Sequence, residues 1–150
     1  MNENPKLNVI LMADDDGDDQ MLVKDAIQEC GWESSVVFVE NGEELLDYLF
    51  RRGQYQDSAT APRPGLVLLD LNMPRKDGRE ALRDIKSDAE LRRIPVVVLT
   101  TSRSDTDIGT VYDLGANSFI SKPVQFDALV DVMRRLQQYW FSTVELPASR

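Results

Sequence analysis

Five short apolar runs alternate with five stretches of helical periodicity, and this alternation constrains the fold more than any other feature of the chain. The runs are LNVILMA (7–13), VVFV (36–39), LVLL (66–69), VVVL (96–99) and SFIS (118–121). After the first, Asp18 to Cys30 sets Leu22, Val23, Ala26, Ile27 and Cys30 on one helical face, and Gly31 stands where a helix stops. ENGEELLDYLFRR (40–52) groups Leu45, Leu46, Leu49 and Phe50, and Gly53 to Pro64 reads as a loop. Arg79 to Ser87 carries Ala81, Leu82 and Ile85 at helix spacing. A fourth helix is expected from about Ser104 with Ile108, Val111 and Tyr112, and a fifth from about Gln125 with Leu129, Val132, Met133, Leu136 and Trp140. Strict strand–helix alternation requires a parallel sheet with helices on both faces. Uninterrupted apolar strands fit, because a parallel strand is covered on both sides. The expected class is α/β, a doubly wound five-stranded parallel sheet. A length of 150 residues suits one such domain, and no internal repeat or low-complexity tract divides it.

One detail conflicts with a plain apolar core. The first run ends in MADDDGDD (12–19), with five carboxylates in six positions. Composition narrows what they could serve. A net charge of −9 argues against a nucleic-acid surface, and no nucleic-acid partner is expected. With no histidine, the chain offers no histidine nucleophile, general base or metal ligand, so a phosphohistidine would have to belong to a partner. Cys30, the single cysteine, reads as a buried small hydrophobe rather than half of a disulfide. No apolar stretch approaches the ~20 residues of a membrane span, and VILMA (9–13) is too short for a signal peptide. A cytoplasmic location, with no membrane contact, is the expectation.

In doubly wound sheets ligands bind beyond the carboxyl ends of the strands, where the winding reverses. The first strand ends in Asp14 and Asp15, the third in Asp70 and the fourth in Thr100, and the fifth is followed by Lys122 and Pro123. Parallel strands place all of these on one edge. Like charges ~4 Å apart repel by about 4 kcal/mol at an effective dielectric of ~20, so clustered carboxylates call for a cation or raised pKa values. Mg2+ suits a purely oxygen donor set and commonly also holds phosphate oxygens, whereas zinc lacks its usual ligands here. Lys122 adds a point charge and Thr100 a hydroxyl donor, which together can neutralise a phosphoryl group passing to a carboxylate. Asp70, on the central strand, is the best candidate nucleophile.

Four stretches carry a resemblance: ILMADDDGDD (10–19), LVLLDLNMPRKDG (66–78), VVVLTTS (96–102) and GANSFISKP (115–123). In this order, at these strand ends, they resemble the response-regulator receiver domain of the CheY kind over roughly residues 6–138. The resemblance implies a flavodoxin-like (βα)5 fold with strand order 2-1-3-4-5. It implies that Asp70 accepts a phosphoryl group from a partner histidine kinase, that Asp15 binds Mg2+ directly and Asp14 through water, and that the backbone carbonyl of Asn72 completes the protein ligands. Thr100 and Lys122 would contact the phosphoryl group, Phe119 would be the rotating switch aromatic, and the Lys122–Pro123 bond would be cis. Gly78 is expected to permit a tight turn after Met73-Pro74. Phosphorylation would alter the surface of the fourth helix, fifth strand and fifth helix. VVVLTTSRSDTDI (96–108) and YWFSTVELP (139–147) further resemble the stand-alone regulators paired with bacterial phytochromes, which implies a phytochrome-type sensor kinase as partner and a homodimer.

The other acids have plainer expected roles. Asp16 suits a helix N-cap, and Asp18 and Asp19 complement the positive end of the first helix. The alternating Asp14, Asp16 and Asp18 do not make a Ca2+ loop, since the sixth and twelfth positions are Asp19 and Asp25 rather than Gly and Glu. An Mg2+-dependent aspartyl-phosphate phosphatase would use the same nucleophile, but such enzymes place a second Asp two residues on as acid/base, where this chain has Asn72. A pseudo-receiver used only for binding is the weaker reading, because every chemical position is filled. Tyr139, Trp140 and Phe141 cannot all face one core. Residues 139–150 are therefore expected to be an extension of the last helix that joins the fourth-helix, fifth-strand, fifth-helix face in a dimer interface.

Overall fold

The parallel strands β1 (Val9–Ala13), β2 (Ser35–Val39), β3 (Leu66–Leu69), β4 (Val96–Thr100) and β5 (Ser118–Ser121) form one sheet in the order β2-β1-β3-β4-β5. This computed structural model describes residues 9–32, 35–57, 59, 61–102 and 104–147. Leu7 and Asn8 of the first expected run, and residues 148–150 of the expected extension, lie outside the described residues. Ala13 pairs with Val39 on one side and Leu69 on the other, and Leu69 pairs with Val98. β1, β3 and β4 are buried along their whole length, while the edge strands β2 and β5 are mostly half-buried. That gradient explains why the three central strands read as unbroken apolar runs.

Five helices cover the sheet: α1 (Gly17–Glu29), α2 (Gly42–Phe50), α3 (Gly78–Ser87), α4 (Asp105–Asp113) and α5 (Phe126–Gln138). Four begin at a side-chain cap, namely Asp16, Asn41, Asp77 and Ser104. Asp77 forms a full capping box with Glu80, satisfying first-turn N–H groups that would otherwise lack partners. Alternate strand residues then feed two cores. Leu11, Ala13, Val67, Leu69, Val96 and Val98 pack with α2, α3 and Val111 of α4, whereas Ile10, Met12, Leu66, Leu68, Val97 and Leu99 pack with α1 and α5. Each fully buried Leu, Ile or Val contributes about 1.5–3 kcal/mol from leaving water. Truncating Leu68 to Ala, at the centre of the sheet, would cost about 2–5 kcal/mol.

Several helical faces are rotated from their expected positions. Leu22 is exposed, and α1 buries Val23, Ala26 and Ile27 instead. Phe50 is also exposed, with the Arg52 guanidinium 5.0 Å above its ring, and Tyr48 takes the buried place on α2. The tie that fixes Tyr48 is its hydroxyl, which donates to the Pro62 carbonyl at 2.7 Å, a long-range partner that helical spacing cannot reveal. Tyr112 is about half exposed, its hydroxyl accepting the Phe119 N–H at 3.2 Å. Cys30 is half-buried rather than buried. After α5 the chain makes a π-helical turn, Tyr139–Thr143, closed by Val144 N–H donating to the Tyr139 carbonyl at 3.0 Å. This wider turn brings the Phe141 ring against Trp32, 5.4 Å between centroids, while Tyr139 stays exposed.

Candidate functional site

Backbone hydrogen bonds carry the parallel ladder one residue past the strands and so fix the side chains at their ends. Asp14 N–H donates to the Val39 carbonyl at 3.0 Å, Asp70 N–H to the Ala13 carbonyl at 3.0 Å, and Lys122 N–H to the Thr100 carbonyl at 2.7 Å. Aromatic residues apart, the buried polar or charged residues among those described are Asp14, Asp70, Thr100 and Lys122. They come from four strand ends and meet at one point. Burying polar groups costs free energy unless they are paired, and here they pair with one another.

Thr100 Oγ1 donates to Asp70 Oδ1 at 2.7 Å, and the Asn72 N–H approaches the same oxygen at 3.4 Å. Lys122 Nζ lies 2.8 Å from Asp14 Oδ2, 3.0 Å from Asp19 Oδ2 and 3.6 Å from Asp70 Oδ2. Burial alone would lower the Lys122 pKa, but the hydrogen bond to Asp14 and the charges of Asp14 and Asp70 outweigh it and push it up. Asp14, fully buried, has its carboxyl pushed up by burial, against the hydrogen bonds it accepts from Lys122 and from the Asp16 N–H. Asp14 is also held from behind, because Gln20 Nε2 donates to its backbone carbonyl at 2.6 Å.

Carboxylate oxygens of Asp14, Asp15 and Asp70 all lie within 4.8 Å of one another, and Asp15 is the exposed member. Three carboxylate oxygens this close could be drawn inward onto one small cation, which would relieve their mutual repulsion. The donor set is hard oxygen, as Mg2+ or Mn2+ requires, and Asp15 keeps a face open to water. The residues present fit a divalent cation of this kind.

The loop after β3 is held in place by close backbone approach. A Cβ on Gly78 would stand 2.4 Å from the Asp70 carbonyl oxygen, and one on Gly42 would stand 2.1 Å from the Lys76 carbonyl oxygen. Gly78 is therefore required for space and not for a left-handed turn: its φ is not positive, and the left-handed residue of this loop is Arg75, at φ 71°. Arg75 donates to Glu43 on α2 at 2.8 Å. Across the other side of the pocket, Ser102 Oγ donates to Asp107 Oδ2 at 2.6 Å and Arg79 donates to Asp107 Oδ1 at 2.8 Å, joining the β4–α4 loop, α4 and α3. The Asp107 carboxyl sits below its usual range, first because of Ser102 and then Arg79.

Most residues expected at the site come together: Asp14, Asp15, Asp70, Thr100 and Lys122 converge, and exposed Asn72 borders them. Phe119 is half-buried against the α2–α3–α4 core, one strand away from Thr100. The Lys122–Pro123 bond, expected to be cis, is trans, the form X–Pro bonds favour in most settings. Asp16 caps α1, donor Asp18 N–H at 2.9 Å. Asp19 was expected to act only on the helix end, yet it reaches Lys122. Position in the first helical turn gave no sign of a lysine 103 residues away.

The parallel sheet order and the strand-end cluster together define the class. The chain belongs to the response regulator receiver domain family, which matches residues 10–134. Within it, the chain is similar to phytochrome response regulators. Response regulator Rcp1 of Synechocystis sp. is 38% identical over 141 residues, 94% of each chain. Its Mn2+-bound crystal structure superposes with a TM-score of 0.84 at 37% identity, covering 94% of this chain and 99% of that one. The phosphorylated cyanobacterial phytochrome response regulator RcpA superposes at 0.86 with 42% identity, over 95% of this chain and 99% of its own. RPA3017, a response regulator in red light signaling of R. palustris, superposes at 0.90 with 35% identity, over 95% and 99%. Among the described residues no helix is long and apolar enough to cross a membrane.

Proposed function

We propose that this receiver takes a phosphoryl group onto Asp70 from the phosphohistidine of a sensor histidine kinase of phytochrome type. The observation that carries the reading is the convergence of Thr100 and Lys122 on Asp70 beside the paired Asp14 and Asp15. An Asp70 carboxylate oxygen forms a bond to phosphorus as the phosphorus–nitrogen bond to the kinase imidazole breaks. The imidazole leaves with that electron pair and takes up a proton. Asp14, Asp15, Asp70 and the Asn72 carbonyl would hold Mg2+, which when bound neutralises charge on the phosphoryl oxygens. Lys122 supplies a fixed positive charge at the pocket wall, and the chemistry needs no histidine from this chain.

Phosphorylation of Asp70 brings phosphoryl oxygens beside Thr100, so its hydroxyl turns to one of them. Phe119 then packs into the space that Thr100 leaves, and the α4–β5–α5 surface changes affinity as a population shift between two states. The same face supports the homodimer reading. A groove of about 570 Å3 between β5 and α5 is lined by Ile120, Val132, Leu136, Tyr139 and Trp140. Residues 139–150, read as an extension beyond a receiver at 6–138, would close it against a second copy. A cytoplasmic setting, where kinase phosphohistidines are formed, goes with this role. Phosphotransfer from a panel of histidine kinases tests the partner: the fastest transfer is expected from phytochrome kinases, and an equal rate from all would contradict it. Analytical ultracentrifugation tests the dimer, and a monomer at tens of micromolar would contradict that part.

A further inference from the structure

We propose that Asp19 is a positioning residue that withholds Lys122 from Asp70 until a phosphoryl group competes for it. The inference deepens the proposed function and rests on Lys122 meeting the phosphoryl group there. An ammonium has three N–H donors. On Lys122, Asp14 and Asp19 each lie at hydrogen-bond distance, 2.8 and 3.0 Å, while Asp70 Oδ2 lies at 3.6 Å, beyond it. The acceptor carboxylate is thus the one that Lys122 does not hydrogen-bond. Asp14 follows directly on β1, next to β3, and its grip follows from the strand-end geometry. Asp19 is different, since it reaches in from the first turn of α1 rather than from a strand end. Asp16 already caps that helix and Asp18 already supplies a first-turn acid, so α1 does not require a further charge at position 19.

The consequence is electrostatic as well as geometric. Lys122 is the one cation within ion-pair distance of Asp14, Asp19 and Asp70 among the described residues. The hydrogen bond to Asp19 holds the ammonium 3.6 Å from Asp70 Oδ2, and the negative charge of Asp19 offsets part of the ammonium's field at Asp70 and at anything bound to it. Asp19→Asn keeps the size and one acceptor oxygen but removes the competing charge. Asp19→Ala removes both. Either frees the ammonium to swing toward the acceptor.

Beryllium fluoride, a phosphoryl mimic, provides the probe, with binding to wild type, Asp19→Asn, Asp19→Ala, Lys122→Ala and the Asp19→Asn/Lys122→Ala double variant measured by calorimetry at saturating Mg2+. Both Asp19 variants are expected to bind about two- to fivefold tighter, the range that a partly exposed ion pair supplies. The gain is expected to vanish in the Lys122→Ala background, which a merely structural role for Asp19 would not produce. A crystal structure of Asp19→Asn is expected to show Nζ within hydrogen-bond distance of Asp70. Unchanged or weaker binding by variants that melt like wild type, or the same gain without Lys122, overturns the proposal. If Lys122→Ala alone binds as wild type does, the reading of Lys122 as a phosphoryl contact fails, and this inference falls with it for that separate reason.

Discussion

Thr100 Oγ1 and Asp70 Oδ1 are joined by a 2.7 Å hydrogen bond between two strand ends, and Thr100 has no solvent exposure. The bond does two jobs: it satisfies a carboxylate at the end of β3, and it ties β4 to the side chain that the proposed chemistry would modify. Thr100→Val keeps the shape and deletes the donor. The Asn72 N–H, at 3.4 Å, is too distant to replace it. The expected cost is about 1–3 kcal/mol, the penalty for under-satisfying a buried acceptor, read as a lower urea midpoint with an unchanged slope. In the same variant Asp70 should still be phosphorylated, while the α4–β5–α5 surface fails to shift, as followed by amide NMR.

Lys122 neutralises a carboxylate that has no exposure of its own, Asp14. Removing one partner of a buried pair typically costs about 3–5 kcal/mol, and Lys122→Met should lose about that much near neutral pH. Burial already pushes the Asp14 carboxyl up from its unfolded value of 3.8, and loss of the ammonium pushes it further. A raised folded pKa means that the folded state binds the proton first as pH falls. The penalty in the variant, measured against wild type by denaturant titration, should therefore shrink as pH is lowered through the folded pKa of Asp14. A penalty that is independent of pH would show that Asp14 does not bear it.

Away from the pocket, Tyr48 makes a pH test of the fold. Its phenol is buried on α2, donates to the Pro62 carbonyl, and is pushed up by burial from 10.0 to about 12. Unfolded chains would release this proton first, so its contribution is complete below pH 10.0 and is lost as pH rises toward about 12. The loss amounts to ~2–3 kcal/mol from this one group. Tyr48→Phe should be less stable at neutral pH by about 1 kcal/mol and should show a shallower alkaline decline than wild type.

Gly78→Ala would drive a methyl group to 2.4 Å from the Asp70 carbonyl oxygen, and Gly42→Ala would do the same at 2.1 Å from the Lys76 carbonyl oxygen. Backbone must move in both, at a cost of about 1–3 kcal/mol or more. Only Gly78→Ala displaces the backbone of Asp70 itself. Thermal melts should fall for both variants, and at temperatures where both are folded phosphorylation should suffer more in Gly78→Ala.

The topology was legible because its causes are local or binary. Three buried strands left unbroken apolar runs, the cap at Asp16 marked the start of the first helix, and the acids at strand ends pointed to one edge of the sheet. What the sequence hid depends on long-range contact. Leu22 and Phe50 have the right spacing for a buried face, but the sheet meets those helices a fraction of a turn away. Tyr48 can be buried because the Pro62 carbonyl accepts a hydrogen bond from its hydroxyl, and Phe141 is half-buried because a π-helical turn carries it to Trp32. Asp19 shared the signature of an ordinary first-turn acid, and only the reach of Lys122 separates it from Asp18. Gly78 looked like a turn glycine, although the constraint is the passing carbonyl of Asp70.

The role of Asp70 is tested most directly by mapping the site of label after transfer from a phosphorylated phytochrome-type kinase to wild type, Asp70→Asn and Asp18→Asn, with folding of each confirmed by thermal melts. Wild type and Asp18→Asn should carry an acid-stable, base-labile phosphoryl group on the peptide containing Asp70, and Asp70→Asn should carry none. Label that persists on folded Asp70→Asn at the wild-type level would contradict Asp70 as the acceptor.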